Sequence, residues 1–138
     1  DLKPGSVVLV ESVLGMDGVS NRMGASGEIL PDAGLTDLLD GLGRSGMISS
    51  HDLLARNDRM GPTSDEGVGP DRPVLARDLQ TAAPFAVAAD LALAAAALLI
   101  VSEDRLGERL EEAELEPEFL DLGRLVLDRI APAERLFN

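Results

Sequence analysis

The chain has 138 residues, 45% of them apolar and 27% charged, which suits one globular domain and is too little for two well-buried ones. Twelve basic against 25 acidic residues leave a net charge of -13, a potential that repels phosphate backbones and anionic lipid and argues against nucleic-acid binding. No Cys and a single His exclude disulfides, thiolate chemistry, a zinc cluster and a Ser-His-Asp relay within one copy, and three Phe without Tyr or Trp leave little flat surface for stacking a ring.

The chain opens at Asp1 without Met and runs almost at once into a strand, so it reads as a trimmed or later part of a longer product, without a signal peptide and expected in the cytoplasm. Ser6 to Ser12 is β-branched and follows the turn signal Lys3-Pro4-Gly5, which predicts a buried strand. A Gly-rich loop is expected from Gly15 to Gly34. Leu35, Leu38, Leu39 and Leu42 then recur at helical spacing, with Asp32 as N-cap and Gly43 as stop. Met47 to Ser50 is a short strand candidate. Asn57 to Pro73, with three Pro and three Gly and few apolar residues, is expected to be a mobile loop. Pro73 to Leu79 reads as a strand, Thr81 to Leu93 as an Ala-rich helix and Ala95 to Val101 as another strand. Glu118 to Ile130 reads as a closing helix whose Phe119, Leu122, Val126 and Ile130 are in register for the core.

Ala82 to Val101 has the length of a membrane span, but it is mostly Ala, carries Asp90 and Pro84, and lacks basic flanks. It is better parsed as a helix running into a strand, and no membrane partner is expected. The alternation of strands and helices predicts one α/β layered domain over residues 1–138, with a largely parallel sheet. In such sheets ligands gather at the carboxyl ends of the strands. The residues there are Glu11-Ser12, Ser49-Ser50-His51-Asp52, Asp78-Leu79-Gln80-Thr81 and Ser102-Glu103-Asp104. Hydroxyls, amides and carboxylates at these points suit a polyhydroxylated small molecule, while the plain alternative is that loops are polar wherever they occur.

Asp78-Leu-Gln-Thr-Ala-Ala-Pro-Phe resembles the "(D/E)-M-E-(S/T)-A-A-L-F" segment of the nucleoside phosphorylase and nucleosidase superfamily. Leu2-Lys-Pro-Gly-Ser-Val-Val resembles its strand entry "L-x-x-G-D-(V/L)-V", and Met16-Asp-Gly-Val-Ser resembles the "x-D-G-(A/T)-S" loop of its uridine-phosphorylase branch. Leu98-Leu-Ile-Val-Ser-Glu-Asp resembles "L-x-V-V-S-D", and Ser49-Ser50-His51 stands where that branch has "S-S-D". The resemblance implies a three-layer α/β fold with a mixed sheet, lacking the N-terminal part. It also implies binding of a nucleoside or related small molecule and cleavage of its N-glycosidic bond by phosphate or water. No cofactor is implied, and phosphate is a co-substrate only if phosphate rather than water cleaves the bond. Carried over by position, Glu103 becomes the catalytic acid with Asp104 beside it. Asp78, Leu79, Gln80, Thr81, Ser50 and Leu53 become substrate-binding residues, Gln80 holding the ribose and Leu79 packing under it.

The departures matter as much. Gln80 replaces a Glu, exchanging a charge-assisted acceptor for a neutral amide. Glu103 replaces an Asp, which moves the carboxyl by a methylene. Leu53 and Leu54 stand where the uridine branch stacks the base with an aromatic pair, Pro84 enters the helix that the family starts with Leu, and Ala92 takes the place of a helix-ending Gly. The family's phosphate loop has no counterpart here, and Arg22, Arg44, Arg56 and Arg77 read as surface charges. His51 reads as a strand-end polar residue, and the acidic run from Glu108 to Glu118 as a solvated face without calcium-loop spacing.

Three classes remain open at this stage. The chain is an enzyme completed by a further segment or a separate chain, a non-catalytic homologue serving as a structural or regulatory subunit, or a plain α/β interaction module. A partial sheet leaves an unpaired edge, so homo-oligomers or hetero-oligomers are expected.

Overall fold

The computed structural model describes residues 2–25, 27–52 and 72–135. Leu53, Leu54, Arg56 and most of the loop expected from Asn57 to Pro73 lie outside the described residues. The sheet is organised around one long strand, β1 (Val7–Met16). Its apolar residues would fall on alternating faces, but a bulge between Val10 and Ser12 leaves Glu11 exposed and shifts the alternation by one residue. Val13 therefore returns to the face that already carries Val8 and Val10.

β3 (Arg44–His51) runs parallel to β1, from Val8↔Arg44 to Met16↔His51. β4 (Val74–Asp78) runs parallel to β3, ending at Ser50↔Asp78. The other edge of β1 is shared by two short antiparallel strands. β2 (Gly27–Ile29) pairs along its second half, and β5 (Leu98–Ile100) along its first, with Val7 opposite Ile100 and Leu9 opposite Leu98. The sheet is thus mixed rather than largely parallel. Each antiparallel partner is only three residues long, too short for a periodic pattern to reveal its direction.

The helices begin where side chains can satisfy the free N–H groups of a first turn. α1 (Gly18–Arg22) and β2 lie inside the stretch expected to be a Gly-rich loop. Asp17 caps α1 by accepting from the Ser20 N–H, a local signal that the neighbouring glycines hide from a periodicity count. α2 (Ala33–Leu38) starts on the expected cap, Asp32, whose Oδ1 accepts from the Leu35 N–H at 2.8 Å. It closes earlier than its leucines suggest, with Gly41 already at φ +82°.

α3 (Ala82–Asp90) lays Ala82, Phe85 and Ala86 on Val8, Val10, Val13, Ile29 and Ile48, which together form the core of that face. Pro84 is tolerated because it falls in the first turn, where no intrahelical donor is needed. α4 (Glu112–Arg135) begins six residues before the expected start at Glu118, and Glu112 and Glu114 in its first turn complement the helix dipole. The acidic run is exposed as expected, but Phe119 is not core. It is 57% exposed, because the covered stripe of α4 passes through Leu115, Leu122, Val126 and Ile130 instead. Arg129 fastens this helix to the end of α2 by donating to the Leu38 and Asp40 carbonyls at 3.4 and 3.2 Å. Among the described residues, no helix is long and apolar enough to cross a membrane.

Candidate functional site

The carboxyl ends of β1, β3 and β4 lie side by side, as the registers Met16↔His51 and Ser50↔Asp78 require. Three predicted residues meet there. Ser50 Oγ is buried and donates to Asp78 Oδ1 at 2.5 Å, while it accepts from the N–H of Ala82, the first residue of α3, at 2.9 Å. Asp78 Oδ2 accepts from the Thr81 N–H at 3.1 Å and also from the Thr81 hydroxyl. One carboxylate thereby joins the ends of two strands to the start of a helix. Leu79 and Gln80 sit between its two anchors and are exposed, Leu79 by 47%. They are the predicted residues whose side chains at this edge are open to a ligand.

A second carboxylate does parallel work on the neighbouring loop. Asp52 accepts from the Gly18 N–H through Oδ1 and Oδ2, at 3.0 and 3.1 Å, and so ties the β1–α1 loop to the end of β3. Within that loop Asp17 is 5% exposed and Ser20 is buried. Burial raises the Asp17 pKa, but hydrogen bonds from the Ser20 hydroxyl and backbone N–H outweigh it and leave the carboxyl below its ordinary value. Gly15 has to be glycine here, since a Cβ would come within 2.7 Å of Ser20 Oγ and 3.1 Å of the Ala25 carbonyl. His51 Nε2 lies 3.0 Å from Ser49 Oγ, an arrangement that suits a strand-end polar residue.

In the sequence Asp52 stands beside His51 with no signal of a role, and Asp17 is visible only within the Asp-Gly-x-Ser motif. That motif was the available signal. An Asp three residues before a Ser, followed by Gly, is a capping pattern.

Glu103 and Asp104 are elsewhere. Because β5 is antiparallel to β1, the chain leaves it at the amino end of β1, where the Gly5 N–H donates to the Val101 carbonyl at 2.8 Å. From Val7 to Gly15, the residue level with Ser50, a strand rising about 3.3 Å per residue covers roughly 26 Å. The structure therefore does not bring the predicted acid together with Ser50, Asp78, Leu79 and Gln80. Asp104 instead organises a tight turn, its Oδ1 accepting from the Leu106 and Glu108 N–H groups at 2.8 and 3.0 Å. Glu103 is exposed and bridges to Arg109 through the backbone. Arg44 marks this amino end of the sheet as well, whereas Arg22 closes α1 at the carboxyl end. Both are exposed.

No protein-family model and no curated protein matches the sequence. Solved structures do match. Purine nucleoside phosphorylase from Toxoplasma gondii, in complex with immucillin-H, superposes with a TM-score of 0.72 at 16% identity, over 98% of this chain and 58% of that one. Futalosine hydrolase of Helicobacter pylori gives 0.68 at 13%, over 96% and 61%. The 5'-methylthioadenosine/S-adenosyl homocysteine nucleosidase of Campylobacter jejuni gives 0.63 at 14%, over 94% and 61%. The fold is that of the nucleoside phosphorylases and nucleosidases. The chain spans about three fifths of the length of these structures.

Proposed function

We propose that the chain binds a nucleoside at the carboxyl edge of its sheet and does not by itself cleave the N-glycosidic bond. Gln80 donates to and accepts from ribose hydroxyls through its amide, and Leu79 packs under the sugar. Both residues are exposed at a corner that Asp78 and Ser50 hold in place. The observation that carries the non-catalytic half is the direction of β5, which takes Glu103 and Asp104 to the far end of β1. Cleavage needs a group that protonates or stabilises the leaving base next to groups that hold the sugar, and the acids offered by the motif, Glu103 and Asp104, lie apart from Leu79 and Gln80.

A second reading has one specific support. About two fifths of each structural neighbour is not spanned by this chain, so a further segment or a partner chain supplying an acid and a phosphate site would complete an active phosphorylase or nucleosidase. Association with copies or partners accompanies both readings, in a cytoplasmic setting. The full chain, titrated with adenosine, inosine and uridine by calorimetry and then incubated with each, with and without phosphate, is expected to bind at least one and release no free base. Base release by the chain alone overturns the non-catalytic reading, and absence of binding to all three overturns the nucleoside site.

A further inference from the structure

Asp78 stands in the motif position nearest the ribose-holding pair, yet its oxygens already accept from the Ser50 hydroxyl, the Thr81 hydroxyl and the Thr81 N–H. Its carboxylate closes a ring across positions 78 to 81. Inside that ring only Leu79 and Gln80 lack a described anchor, and their side chains are exposed. Ser50 extends the ring to β3 and, through the Ala82 N–H, to the first residue of α3. An amide that is to meet two sugar hydroxyls has to be presented within a few tenths of an ångström of the right place, and side chains on a free loop do not hold that accuracy.

We propose that Asp78 is a positioning residue and not a ligand of the sugar: by holding Ser50 and Thr81 it fixes the backbone that presents Leu79 and Gln80. This inference rests on the reading that the corner binds a nucleoside, and it assigns the energetic effect of Asp78 on binding to Gln80.

The test is a double-variant cycle on the full chain, titrating adenosine and 2′,3′-dideoxyadenosine into wild type, Asp78→Asn, Gln80→Ala and the double variant. Mobility of the Leu79 and Gln80 backbone amides is followed by nuclear magnetic relaxation without ligand. Asp78→Asn is expected to weaken adenosine binding about tenfold, the effect of roughly one hydrogen bond, and dideoxyadenosine, which keeps only the Leu79 contact, by much less. It is expected to cause only that smaller loss once Gln80 is Ala, and to make the two amides mobile. Losses that add in the double variant would mean that Asp78 touches the sugar itself and overturn the proposal. Amides as rigid in Asp78→Asn as in wild type overturn it too. If wild type binds neither compound but Asp78→Asn loosens the amides, positioning stands and the nucleoside reading falls. Should Asp78→Asn fail to fold, Ser50→Ala removes only the tie to β3 and α3, and the same pattern is expected at smaller amplitude.

Discussion

Gln80 concentrates the chemical question at the smallest scale. A neutral amide gives a hydrogen bond of about 0.5 to 1.5 kcal/mol, against about 1.5 to 3 kcal/mol when one partner is charged. Gln80→Glu is therefore expected to tighten binding of a neutral nucleoside through its ribose hydroxyls about tenfold, and of an analogue with a cationic sugar ring by more. Calorimetry on both compounds checks this, and no change for either would place Gln80 away from the sugar. Asp17 supplies the pH dependence. Its pKa is lower in the folded chain than the ordinary value of 3.8, so it stabilises the fold above that value. That contribution is lost as pH falls through the lower folded value. Asn is about as good a cap as Asp, so Asp17→Asn isolates the charge. The variant is expected to melt lower than wild type at neutral pH and to converge with it in acid. A gap that persists in acid would show that the carboxylate charge is not the cause.

At the level of elements, two backbone positions carry the clearest consequences. Ala92 ends α3 at φ +53°, the left-handed conformation that a Gly adopts freely and an L side chain does not. Ala92→Gly is expected to raise stability by about 1 kcal/mol, read as a shift in the urea midpoint at constant slope. Gly46 shows the reverse constraint. A Cβ there would come within 2.2 Å of Leu75 Cδ1 and 2.7 Å of its Cγ, so Gly46→Ala forces β3 and β4 apart or pushes Leu75 off its rotamer. A loss of about 1 to 3 kcal/mol is expected in the same urea titration. The Ala92 site was legible in the sequence as a missing Gly at a helix end. Gly46 was not, because its reason is a side chain 29 positions away at the bulged β3–β4 pairing.

For the molecule as a whole, the separation of the two ends of β1 decides what the chain can do. Glu103→Ala is expected to leave nucleoside binding and its ribose selectivity unchanged, and a tenfold loss by calorimetry would show that the turn bearing Glu103 reaches the carboxyl edge. Local pattern and composition by themselves determined a buried strand at the chain's start, the Asp32 cap, the Phe85 helix and the polar strand ends, since each depends on residues within a few positions of one another. Tertiary structure alone decided the rest. Whether β5 runs with or against β1 depends on hydrogen bonds between residues about 90 apart. That direction takes Glu103 away from the site its motif suggested. The same holds for Asp78, whose carboxylate looks like a ligand in the sequence and in the fold is occupied by Ser50 and Thr81.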